Sequence, residues 1–204
     1  MQGINHIISN TCSAVLVGEG IFALNDFLEH FTGNNLPFYN NLRYVCIHTI
    51  DFLVPHTEST VFLCLWWTVA VFLFYLGSLL PDCDTKKSII GRKLYIPVEH
   101  RTWTHTLWFP LSIFAVSLFA PVLFYLSAGY ILHLFWDNLS VGGVCFLYPL
   151  SKYRHYGNSG AKMKKRHVIK LYRTGKVSEG VVIGILIAIT LISLIYMFIK
   201  LFVK

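Results

Sequence analysis

Two carboxylates and two imidazoles carry the most evident chemistry in this chain. Asp82 and Asp84 stand one residue apart in Gly77-Ser78-Leu79-Leu80-Pro81-Asp82-Cys83-Asp84, where a long apolar run stops. His100 and His105 stand five apart in His100-Arg101-Thr102-Trp103-Thr104-His105, where the next apolar run begins. Paired carboxylates are neutralised by a hard or borderline divalent ion, and such ions accept mixed nitrogen and oxygen ligands. A third pair, His133 and Asp137, has i, i+4 spacing, so one helix face presents both. An unpartnered Asp in Ile131-Leu132-His133-Leu134-Phe135-Trp136-Asp137 would be costly. Read as plain structure, these groups are a solvated helix end, an interfacial aromatic belt near Trp103 and Trp108, and a His–Asp hydrogen bond. Read as chemistry, they are ligands of a metal that activates water for hydrolysis.

The elements that must position them are apolar. The 204 residues are 55% hydrophobic and 13% charged, and the mean hydropathy is +0.58. Soluble domains carry roughly 25% charge, so the composition points to an all-α, polytopic membrane protein. The net charge of +7 lies in loops between apolar runs, which argues against nucleic acid as a partner. Five cysteines (Cys12, Cys46, Cys64, Cys83, Cys145) show no CxxC spacing and read as free thiols.

Apolar runs predict helices over 4–24, 61–80, 105–119, 122–136 and 181–199. The third and fourth are short, with Pro121 at the turn between them. Residues 25–60 form a mixed loop with a short interfacial helix around 38–53. Residues 138–150 read as an interfacial or re-entrant loop around Gly142-Gly143 and Pro149. Residues 81–104 hold five Lys or Arg, 151–176 hold nine, and 25–60 hold one. The positive-inside rule then places the first two segments in the cytoplasm. Five transmembrane helices satisfy this, with the N-terminus inside and a metal site at the cytoplasmic ends of four of them. The chain is expected to be a single membrane-embedded domain over 1–204, with a motif-bearing core at 5–154, a basic cytoplasmic loop at 151–176 and a C-terminal helix at 181–203.

This topology delivers His6, Asp82, Asp84, His100, His105, His133 and Asp137 to one face, and ionisable groups at membrane depth are usually functional. Arg101 is a candidate for contacting a phosphate or oxyanion, or else a topology anchor. Lys87 and Ser88 are candidate substrate contacts; Glu99 and Asn138 are candidates for the layer behind the ligands. Glu19, inside the first run, reads as a structural polar contact. A second cluster (His48, Asp51, His56, Glu58) lies in the outer loop and reads as solvated. The basic run from Lys162 to Arg173 reads as an anchor to anionic lipid.

The order of motifs resembles the YdjM family of LexA-regulated inner-membrane, metal-dependent hydrolases. The counterparts are Asn5-His6, Leu80-Pro81-Asp82-Cys83-Asp84 with Ser88, His100-Arg101-Thr102-Trp103-Thr104-His105-Thr106, and Gly129-Tyr130-Ile131-Leu132-His133 with Asp137, Gly142 and Pro149. Thr85 stands where that family often has His, and Thr102 where it has Gly. The family is distantly similar to the zinc phospholipase C and P1 nuclease group, which implies phosphoester hydrolysis. The expectation is therefore a membrane-bound hydrolase that cleaves a phosphoester in a membrane lipid with one to three divalent ions, zinc or alternatively manganese. In that scheme Asp82 or Asp84 orients the water and Arg101 offsets developing charge. The other readings are a metal-dependent ester or amide hydrolase, and a non-catalytic scaffold or metal-binding protein.

Overall fold

The computed structural model describes residues 3–31, 44–45, 47–49, 51–98, 100–150, 153–155, 162–164 and 169–202. The chain is mostly helical, in the order α1 (Gly3–Phe31), α2 (Thr60–Leu79), α3 (Trp108–Ser117), α4 (Leu123–Leu139) and α5 (Val177–Phe202). Short 3-10 turns at Leu80–Asp84 and Trp103–His105 carry the two opening motifs. Residues 44–45, 47–49 and 51–53 are also helical, within the range expected for an interfacial helix.

Among the described residues, three helices are long and apolar enough to cross a membrane: Ile4–Leu24, Thr60–Asp84 and Val177–Ile199. The sequence reading expects five. The difference is the hairpin of α3 and α4. Its arms have 10 and 17 residues, a rise of about 15 and about 25 Å against a hydrocarbon core of about 30 Å. The bend falls at Ala120-Pro121, as expected. A hairpin returns the chain to the end it left, so the later segments keep their side in either topology. Two further departures are local. Helix α1 continues to Phe31 rather than stopping at 24. Within the basic segment, Tyr153–His155 (β1) pairs antiparallel with Lys162–Lys164 (β2).

Helix α2 starts at Ser59, whose hydroxyl accepts from the Phe62 amide at 3.4 Å, and passes into the 3-10 turn at Pro81. Small residues then set how closely α4 approaches. A Cβ on Gly77 would collide with the Leu126 carbonyl, and a Cβ on Gly129 with the Phe74 carbonyl. With no side chain at either glycine, the two backbones touch, as small residues allow between membrane helices. Both helices run the same way: Trp67 packs on Tyr125, and further along the Ser78 carbonyl accepts from His133.

Helix α1 runs against α2 and α4, with Thr11 at 3.3 Å from the Tyr75 hydroxyl and Asn10 donating to the Gly129 carbonyl at 3.2 Å. Helix α5 lies beside α1 and parallel to it. Near its start Glu179 accepts from Asn5 at 2.8 Å, and further along Ser193 donates to Glu19. Glu19 is thus in the polar contact expected of it. The start of α1, the ends of α2 and α4 and the start of α5 therefore meet at one end of the bundle.

Candidate metal centre

That shared end is built from polar side chains that have lost their water. His6, His105 and His133 are fully buried, and Asp82, Asp84 and Asp137 nearly so. Three imidazole Nε2 atoms converge on two carboxylates. His6 Nε2 lies 3.5 Å from Asp137 Oδ1, and His105 Nε2 lies 3.3 Å from Asp137 Oδ2. His105 Nε2 and His133 Nε2 lie 3.8 and 3.7 Å from Asp82 Oδ1. The rings of His6 and His133 stack with centroids 3.7 Å apart. None of these three buried Nε2 atoms makes a hydrogen bond.

The other ring nitrogens explain the aim. His133 Nδ1 donates to the Ser78 carbonyl at 2.7 Å, which leaves Nε2 of the neutral ring as a lone pair facing inward. His105 Nδ1 faces outward to the Thr104 hydroxyl at 3.0 Å and to Asp84 Oδ2 at 3.4 Å. Imidazoles that bind metals are held this way, with the remote N–H given to a carbonyl or carboxylate. The donor set and its unbonded inward nitrogens fit a divalent ion, and three triplets of close ligand atoms occur among the described residues: His6, Asp82 and His133; Asp82, His100 and His105; His105, His133 and Asp137.

Asp84 lies one layer further out. It accepts from His100 Nδ1 at 2.7 Å, from the Arg101 amide at 3.2 Å and from the Thr104 hydroxyl. Thr85, where the related family often has His, lies 2.9 Å from the same His100 nitrogen.

Arg101 is buried behind Asp137. Its Nη2 donates to Asp137 Oδ1 at 2.9 Å and its Nη1 to the Ser140 hydroxyl at 3.1 Å. Two backbone features make room for this. Arg101 takes a positive φ of 63°, which turns the chain so that its amide meets Asp84 and its guanidinium meets Asp137. Gly142 leaves space that a Cβ would take from Nη1. Thr102, in the family's glycine position, has φ −116°, so no glycine is required there.

Burial lowers the pKa of His105, but the neighbouring Asp137 and Asp84 carboxylates outweigh it and hold the ring up at about 9. Burial pushes the Tyr172 hydroxyl up, and the nearby Asp137 and Glu179 push the same way.

The remaining expected residues fall outside this layer. Lys87 is exposed on the loop after Asp84. Ser88 turns back, donating to the Asp82 carbonyl at 2.7 Å and accepting from the Gly91 amide at 2.8 Å. The Asn138 carbonyl accepts from the Ile169 amide at 3.0 Å. Glu99 lies outside the described residues.

Several supporting groups carry no such signal in the sequence. The Ser78 group that holds His133 is a backbone carbonyl, which any residue supplies. Tyr130 donates to the Thr104 carbonyl and so holds the 3-10 turn bearing His105. The segment before α5 pairs with the chain just after Asp137, with Leu171 donating to the Leu139 carbonyl at 2.8 Å and Val141 to the Tyr172 carbonyl at 2.9 Å.

No curated protein and no solved structure matches this chain. The profile of the YdjM inner membrane protein family matches residues 52–202, which include every candidate ligand named above except His6. Such coverage identifies the chain as a member of the YdjM inner membrane protein family.

Proposed function

We propose that the protein is a membrane-bound, metal-dependent hydrolase acting on a phosphoester of a membrane lipid. The observation that carries this reading is the inward aim of three buried, unbonded imidazole Nε2 atoms toward Asp82 and Asp137. Such an array suits a divalent cation, and its mixed nitrogen and oxygen character suits zinc, with manganese as the alternative. A bound divalent ion supplies an acidified water and a Lewis acid for a phosphoryl or carbonyl oxygen.

The chain's own residues do the positioning. His133 and His105 are locked by the Ser78 carbonyl and by Asp84 with Thr104. Arg101 fixes Asp137 from behind, so its contribution is to hold a ligand in place. Asp82, the least covered of the inner carboxylates, is placed to orient a water. The rim of this end carries exposed Lys86, Lys87, Arg92, Lys93, Lys170, Arg173 and Lys176, which favours an anionic phosphate group over a neutral ester. By the positive-inside rule the same rim faces the cytoplasm. The α3–α4 hairpin then dips into the bilayer from that face, its tip reaching Leu53 through the Tyr125 hydroxyl at 2.9 Å.

The test is zinc and manganese content after detergent purification, with Asp82→Asn and His105→Ala as comparisons, followed by lipid mass spectrometry of expressing cells. Tightly held metal lost in both variants supports the centre, and native protein without metal refutes it. A phosphorylated head-group product that disappears with Asp82→Asn supports phosphoester cleavage. Released fatty acid instead points to an ester hydrolase.

A further inference from the structure

We propose that the centre has two unequal cation positions: a closed one that stays filled and an open one, beside His100, that exchanges and meets substrate. This rests on the metal-dependent reading above and assigns its parts. Two of the three ligand triplets, His6–Asp82–His133 and His105–His133–Asp137, contain buried residues alone. They share His133, whose Nδ1 is taken by the Ser78 carbonyl, so its Nε2 is the one atom left to ligate. One lone pair serves one cation, so these two triplets describe a single closed location held by His6, His133 and Asp137, with the His6 ring stacked on His133; His105 Nε2, 3.8 Å from Asp82 Oδ1, is left for the other location.

The third triplet, Asp82–His100–His105, differs in exposure. The His100 side chain is 44% exposed, while that of His105 is 0% exposed. Catalytic metal positions keep one direction open for water or substrate, and structural ones are closed by protein on all sides. Asp82 belongs to both locations, its Oδ1 standing between His133 Nε2 and His105 Nε2. Two-metal hydrolytic sites hold their ions about 3.5–4 Å apart, a spacing that one carboxylate with two oxygens can span.

Charge fits one resident ion, with a second that comes and goes alongside an anion. Among the described residues at this end, three buried carboxylates, Asp82, Asp84 and Asp137, are accompanied by one buried guanidinium, that of Arg101, which bonds Asp137. One divalent ion cancels the remaining two negative charges. A second makes the centre positive, which is the sign needed to hold a phosphate.

The experiment is calorimetric titration of the full-length, chelator-stripped protein in detergent with zinc, paired with elemental analysis after dialysis. The native protein is expected to bind in two steps, a tight one that survives dialysis and a loose one that does not. His100→Ala is expected to weaken the loose step by about a hundredfold and leave the tight one within about twofold. His6→Gln is expected to do the reverse, and Asp82→Asn to weaken both. His100 is half-exposed, so its removal leaves the bundle packing intact, and an unchanged unfolding temperature checks this. A single step in the native protein, or equal weakening of both steps by His100→Ala, overturns the two-position assignment while the metal-dependent reading stands. Absence of any zinc binding overturns both.

Discussion

The two ends of the bundle carry the same residue types and put them to different ends. Near the start of α2, His56 Nε2 stands 3.8 Å from Asp51 Oδ1, with side chains 79% and 42% exposed. At the opposite end His105 and Asp137 stand 3.3 Å apart with side chains 0% and 1% exposed. The first pair lies in water, where two unit charges at this range attract by about 1 kcal/mol and salt weakens them further. The second pair has lost its water, so each atom must be met by a partner or by a cation. Distance alone does not separate the two ends. What does is the second contact of each ring: His133 and His105 have theirs fixed outward by Ser78, Thr104 and Asp84.

The strongest way to break this comparison is to remove a charge from behind the buried end. Arg101→Met leaves Asp137 without its guanidinium in a buried setting, and is expected to cost about 3 kcal/mol of stability. His56→Ala at the exposed pair is expected to stay within about 0.5 kcal/mol. Unfolding in detergent, followed by intrinsic fluorescence, compares them. Equal effects would mean that the buried end is no more organised than the exposed one.

Next in size is loss of a ligand. Asp82→Asn keeps the shape and removes the charge, and zinc affinity is expected to fall by about a hundredfold or more. Asp51→Asn is expected to leave it unchanged. Competition against a chromophoric chelator reads both. Zinc retained by Asp82→Asn, or lost from Asp51→Asn, would place the cation at the wrong end.

Which of these features could be read in advance follows from what sequence encodes. Apolar runs are set by composition, so α1, α2 and α5 were visible, as was the bend at Pro121. The number of full spans was not, because a run of apolar residues reads alike whether it crosses the bilayer or turns back within it. The clustered His and Asp were visible as candidate ligands because such residues in apolar surroundings are rare and costly. Their ranking was hidden: Asp82 and Asp84 look equivalent two residues apart, yet a 3-10 turn points one inward and hands the other to His100, Arg101 and Thr104. Arg101 looked like a group for substrate, and only the path of the chain through Gly142 shows it spent on Asp137 and Ser140. The β1–β2 pairing lies in a segment dominated by charge, where alternation of apolar residues gives no signal.

Gly142 offers a finer probe of the same comparison. Gly142→Ala would place a methyl where Arg101 Nη1 now sits. The guanidinium must shift off Asp137, and zinc affinity is expected to drop by roughly tenfold, as for other residues that orient ligands. Gly20→Ala, where a Cβ meets nothing, is expected to leave affinity unchanged and to stabilise α1 slightly. Zinc binding and unfolding of the two variants side by side separate a positional effect from a general one.

The most gradual expected effect, small for each step taken, is one of pH, and it tests His105 itself. Its pKa stands at about 9 because Asp137 and Asp84 outweigh burial. A cation needs the Nε2 lone pair, so below that pH each binding event expels a proton. Zinc affinity should therefore rise with pH, by at most about tenfold for each unit, and level off above about 9. Asp84→Asn removes one of the two carboxylates that raise the pKa, so the plateau should begin at lower pH in that variant. The rise comes from the buried ring, so Asp51→Asn should leave the native curve in place. Affinity that stays flat between about pH 6 and pH 8, on either side of the ordinary histidine range, would mean that the cation does not use His105, and the inner ring of ligands would have to be redrawn without it.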